Sequence, residues 1–164
     1  AFGGTDQDEV SKIMKTSDGN FLIIGYTTSV DGDVQKNHGY WDFWVIKVDP
    51  NGNIIWQKTY GGEEEDVAYS AVEFPDGGYA IVGHTLSKNT INGFKGAVDI
   101  WIVDIDEEGN VRWEKTYGGT LADYAYDVLI DEDGSLVIIG SSFSKNQDLG
   151  KNIGGSDIWI FKIK

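Results

Sequence analysis

The side chains best equipped for chemistry in this sequence are oxygen donors crowded into three polar stretches. One runs from Asp31-Gly32-Asp33 through Asn37 to Asp42, a second from Ser87 through Asn89 and Asn92 to Asp99, and a third from Asn146 through Asp148 and Asn152 to Asp157. Hard oxygen ligands at alternate positions suit Ca2+, which gathers about six to eight oxygens at ~2.3–2.6 Å. Asp31, Asp33 and Asp148 therefore form the candidate metal set. Asp31-Gly32-Asp33 lacks the next alternate Asx and the terminal Glu of an EF-hand loop. The competing reading is a solvated loop whose Asp and Asn side chains hydrogen-bond their own backbone.

Aromatic residues offer a second kind of chemistry. Tyr40-Trp41 stands where the later stretches have Ala97-Val98 and Gly155-Ser156, and Phe94 and His38 also lack counterparts. Packing needs common to all three stretches cannot explain residues found in only one. A Trp beside Asp and Asn is what a sugar platform requires, an apolar face to stack on and fixed polar groups for hydroxyls. Trp41, Tyr40, His38, Phe94, Asn37 and Asn152 form the candidate ligand-binding set, against the plainer reading of Trp41 as a wedge over the loop base. His38 and His84 lie too far in sequence from a third ligand for a metal centre and are expected in loops or at the surface. Catalysis has no signature: no nucleophile elbow, no zinc-ligand spacing, no cofactor fingerprint. Paired carboxylates are too abundant to single out a glycosidase pair.

Composition narrows the partners. The 164 residues hold 27 Asp+Glu against 13 Lys+Arg, a net charge of −14, with no Cys. That charge argues against nucleic acid and anionic membranes, whose binding depends on Lys and Arg. No apolar stretch approaches the ~18–20 residues of a membrane-spanning helix. With no Cys there are no disulfides, thiolate zinc sites or cysteine nucleophiles. No cofactor is expected, Ca2+ being the one ion kept in view. A 40% hydrophobic content is that of a chain with a core.

The elements that must position these residues come from an internal repeat. Trp56-Gln57-Lys58-Thr59-Tyr60-Gly61-Gly62 returns as Trp113-Glu114-Lys115-Thr116-Tyr117-Gly118-Gly119, 57 residues later. Asp8, Asp66 and Asp123 recur, as do Gly25, Gly83 and Gly140, and Asp42, Asp99 and Asp157, the last set each two residues before a Trp. One copy reads as four strands over 67–74, 79–85, 99–106 and 111–117, linked by Pro75-Asp76-Gly77-Gly78, a polar loop and Asp106-Glu107-Glu108-Gly109-Asn110. No helical periodicity occurs. The chain is predicted to be all-β, as β-propeller blades: three four-stranded antiparallel repeats of about 57 residues. Blades fall at 5–62, 63–119 and 120–164 of a single propeller segment. The last lacks its outer strand, because the counterpart of 50–58 is absent after Lys164. The repeated Trp residues are expected to pack between blades, and the Asp residues ahead of each third strand to accept backbone N–H bonds.

Gly61-Gly62, Asp66, Asp76-Gly77-Gly78-Tyr79, Gly83, Asp99, Trp101, Gly109-Asn110 and Trp113 together resemble the blade signature of secreted or cell-surface bacterial and archaeal β-propeller repeat proteins. The resemblance spans the whole chain and implies a secreted or surface location. It leads to the expectation of a non-catalytic binding or scaffold module that recognises a glycan or protein through its acidic, Asx-rich loop face. Two alternatives stand beside it: a self-assembling structural repeat with no small ligand, and a carbohydrate-active enzyme using carboxylates of that face. Three blades and an open, apolar last strand also lead to the expectation of a homo-oligomer or a segment of a longer chain.

Overall fold

The computed structural model describes residues 1–89, 91–146, 148 and 152–164, and among them every regular element is a strand. The strands are β1 (Asp8–Lys15), β2 (Phe21–Thr27), β3 (Asp42–Val48), β4 (Ile54–Tyr60), β5 (Asp66–Glu73), β6 (Tyr79–Thr85), β7 (Asp99–Ile105), β8 (Val111–Tyr117), β9 (Asp123–Ile130), β10 (Leu136–Ser142) and β11 (Asp157–Ile163). They form three antiparallel sheets in chain order: β1 to β4, β5 to β8, and β9 to β11. The all-β expectation and the strand positions stand, with bounds shifted by a residue at most in the second repeat. The third sheet has three strands where the others have four.

Turn chemistry explains why each hairpin closes where it does. Asp49 Oδ1 accepts the N–H groups of Asn51 and Asn53 at 2.8 Å each, and Asn53 Nδ2 donates to Oδ2 at 2.8 Å. Asp106 and Asn110 repeat the clasp. Between Asp49 and Asn53 the chain turns through Gly52 at φ +83°, a conformation that an L side chain rarely adopts. The Gly25, Gly83 and Gly140 column has a different cause. Each sits opposite an irregularity in the pairing of the first and second strands, where the carbonyl of Glu9, Val67 or Tyr124 presses in. A Cβ at Gly83 would lie 1.9 Å from the Val67 oxygen.

Two cores separate the sheets. Alternation along each strand sends Leu22, Ile24, Phe43 and Val45 of the first sheet against Ala68, Ile81, Trp101 and Val103 of the second. The opposite face of the second sheet, with Ala80, Val82, Ile100 and Ile102, packs on Ala125, Val128, Leu136 and Ile138 of the third. A sheet covered on both faces needs strands that are apolar on both sides, and β6 and β7 are buried throughout. Phe43 and Trp101 meet at 4.6 Å between ring centroids, tilted by 50°. Contacts between sheets concentrate on the first strands: β5 touches β1, β2 and β3, and β9 touches β5, β6 and β7. Across these first strands Lys12 Nζ reaches Ser70 Oγ at 2.9 Å and Asp127 Oδ1 at 3.6 Å, and Ser70 Oγ donates to the same Asp127 oxygen at 2.5 Å.

Candidate functional site

The polar loops emerge together at one end of the sheets because short backbone bonds tie them pairwise. Thr28 N–H donates to Gln7 O, Leu86 N–H to Glu65 O and Phe143 N–H to Ala122 O, joining each loop after a second strand to the segment before the first. Beneath them the repeated Asp of each first strand accepts the N–H of a glycine four residues earlier: Gly4 to Asp8, Gly62 to Asp66 and Gly119 to Asp123, at 2.7–2.8 Å. Ser87 Oγ and Ser144 Oγ add bonds of 2.8 Å to Asp66 and Asp123. This clasp is the structural reason for the recurring Gly-Gly and Asp.

The Asp residues opening the third strands behave as expected on one oxygen and not on the other. Oδ2 of Asp42 accepts the N–H of His38 at 2.6 Å, and Oδ2 of Asp99 that of Lys95 at 2.5 Å. Yet Oδ1 of Asp42, Asp66, Asp99 and Asp123 is buried with no hydrogen-bond partner among the described residues. These carboxylates pair across sheets. A Cβ on Gly61 would lie 2.1 Å from Asp42 Oδ1 and 2.9 Å from Asp66 Oδ2, and one on Gly118 would meet Asp99 and Asp123 in the same way. Burial raises the pKa of Asp42 against the pull of His38. Burial, reinforced by Asp42, lifts Asp66 to about 6. Asp99 likewise reaches about 6, through burial and then, among neighbouring charges, Asp123 and Asp148, despite Lys95. Two buried carboxylates side by side favour holding a proton over carrying two charges.

The candidate metal residues are not brought to one place. Asp31 accepts the Thr5 N–H at 2.8 Å and Asp33 the Gly3 N–H at 3.1 Å, both in the first sheet's loops. Asp148 lies in the third sheet's loop, 2.7 Å from Lys95 Nζ, where it also accepts the Gly118 N–H. Asn146, in Asp31's column, repeats its bond by accepting the Thr120 N–H. Among the described residues no three His, Asp or Glu side chains cluster in a way that would hold a metal ion. Asn37 and Asn152 have matching roles as well. Each donates to the carbonyl at the end of the preceding strand and to one three residues on, and each accepts an N–H two residues on. Their amides are spent on their own loops. His38 places Nδ1 2.7 Å from Asp42 Oδ2 and lines a groove of about 430 Å³ between β4 and β8, with Lys58, Tyr60, Trp101 and Glu114. Phe94 is half-buried in the loop between β6 and β7.

Tyr40 and Trp41 do come together, and they bring a neighbour that sequence reasoning passed over. Their rings are parallel within 4° at 5.6 Å, and Trp41 also meets Tyr26 at 5.0 Å. Tyr40 is exposed, while Trp41 and Tyr26 are half-buried. Burial, then the charges of Glu9 and Glu65, raises the Tyr26 pKa. Next along the inner strands lies a second aromatic group. Tyr69 meets His84 and Tyr126, each at 5.6 Å, His84 meets Tyr124 at 5.0 Å, and Tyr124 and Tyr126 stack at 6.3 Å. Burial, with Tyr126, Tyr26, Glu65 and Tyr124 nearby, pushes Tyr69 to about 12. His84 corrects an expectation: it is buried on β6, not in a loop or at the surface. Burial lowers its pKa even with Glu65 Oε1 at 3.4 Å, and Nδ1 has no partner among the described residues. The signal for this group was present in the repeat: the columns Ser11, Tyr69, Tyr126 and Tyr26, His84, Ser141 vary inside a constant frame.

No family model matches the chain, and no curated protein matches it in sequence. Among solved structures it is similar to a point mutant of Synechocystis apocarotenoid oxygenase (ACO), with a TM-score of 0.49 and 15% identity over 97% of this chain. The chain spans 37% of that protein's length.

Proposed function

We propose that the three sheets are consecutive blades of a β-propeller and that the chain is a non-catalytic module binding a glycan on its loop face. The blade reading is supported by the convergence of the sheets on their first strands and by the groove that opens between the outer strands β4 and β8. The binding reading rests on one observation, the parallel Tyr40 and Trp41 rings continued by Tyr26 beside Glu9 and Glu65. Aromatic faces stack on the C–H faces of sugar rings, and carboxylates at their edge accept hydroxyl hydrogens. By the family resemblance the setting is secreted or at the cell surface.

A glycan array followed by calorimetric titration of the hits tests the reading. Trp41→Ala should weaken a hit at least tenfold, about 1.4 kcal/mol. Its melting temperature should stay close to the parent's, because the ring is not part of either intersheet core. A variant that binds as the parent does would remove the platform from the proposal.

A further inference from the structure

The repeat allows each face of each sheet to be compared with its counterpart elsewhere in the chain. Val82, Ile100 and Ile102 of the second sheet are 0% exposed beneath the third. Their counterparts in the third sheet, Ile139, Ile158 and Ile160, are 41%, 78% and 61% exposed. The far side of the first sheet shows the complementary discrepancy. Ala68 and Ala71 of β5 are 0% and 1% exposed against the first sheet, whereas their counterparts Val10 and Ile13 are 69% and 62% exposed. Around them Phe2, Ile23, Trp44 and Ile46 line an apolar depression of about 180 Å³.

The two open faces are the two halves of an interface the chain already builds twice. In the pairing of second and third sheets, Ala125, Val128, Ile138 and Trp159 cover Val82, Ile100 and Ile102. Val10, Ile13, Ile23 and Trp44 occupy those covering positions in the first sheet. An apolar sheet face of this kind on a protein surface marks an interaction site. We propose that the open face of the third sheet is covered by the first sheet of a second copy of this chain, and reciprocally, so that two copies close a ring of six sheets. Six lies inside the range of about four to eight blades at which such rings close. Head-to-tail contacts of this kind close on themselves where the rotation between copies completes the ring, as two copies of three sheets do here. The inference is independent of the glycan platform, whose aromatic rings lie at the loop end.

Sedimentation equilibrium of the 164-residue chain at about 100 µM and pH 7 tests it. The expected mass is twice the 18.1 kDa of one chain. Ile158→Lys and, separately, Val10→Lys should each raise the dissociation constant about a hundredfold or more, because a lysine charge would be buried without a partner. Both positions are exposed within the single chain, so circular dichroism of each variant should match the parent. A parent chain monomeric at this concentration overturns the proposal. So does a dimer that Val10→Lys leaves intact, since that outcome assigns the contact to like faces of the third sheet.

Discussion

Asp66 is the position where a neutral substitution should stabilise the protein, and only above a definite pH. Its carboxyl is fully buried, Oδ2 is held by Gly62 N–H and Ser87 Oγ, and Asp42 lies across the sheet junction. Raising the folded-state pKa from 3.8 to about 6 corresponds to about 3 kcal/mol. The raised value means that the folded protein holds its proton more tightly than the unfolded chain does. The favourable contribution is therefore fully present below the unfolded value of 3.8, declines as pH rises, and is gone above about 6. Asp66→Asn keeps an oxygen for Gly62 and Ser87 and removes the ionisable group. Urea unfolding at pH 4.5 and pH 8, at low micromolar chain concentration, is the assay. At pH 4.5 the two should differ by only about 1 kcal/mol. At pH 8 the variant should be more stable by up to about 3 kcal/mol, moving the urea midpoint by about 1–3 M. A variant less stable than the parent by the same amount at both pH values would refute the reasoning. It would show that burial does not raise the Asp66 carboxyl above its unfolded value.

Two further outcomes follow from packing. Trp101→Ala empties the centre of the first intersheet core, where the ring meets Phe43, and should cost about 3–5 kcal/mol in chemical denaturation. Gly83→Ala drives a Cβ into the Val67 carbonyl and should cost about 1–3 kcal/mol. A neutral Gly83→Ala in thermal unfolding would show that the first and second strands can separate there without loss.

The repeat made the strands legible because turn residues and alternation act locally. Asp106, Gly109 and Asn110 close their hairpin with bonds inside five residues, so sequence alone located it. Tyr40 and Trp41 were visible as departures from the frame and are adjacent in sequence. Tyr69, His84, Tyr124 and Tyr126 were missed because their proximity is created by stacking one sheet on another, bringing together residues up to 57 apart. The unpartnered Oδ1 atoms of Asp42 and Asp66 were hidden for the same reason. Each Asp satisfies one oxygen locally, and the two carboxyls come to face each other only when two sheets meet. Asp31, Asp33 and Asp148 show the reverse case. Asp31 and Asp33 accept N–H groups of the preceding segment, while Asp148 lies against Lys95 of the second sheet's loop, a partner that spacing alone does not reveal.

Lys12, Ser70 and Asp127 stand in one column of the repeat and carry a cation, a hydroxyl and an anion, bonded across the three first strands. Chains built from near-identical units risk exchanging one unit for another as they fold. Here each unit bears a distinct chemical address at its inner edge. A first sheet from another copy docked in the third sheet's place would set two lysines in this column, and a third sheet docked in the first sheet's place two aspartates, so the three side chains discriminate against such exchange.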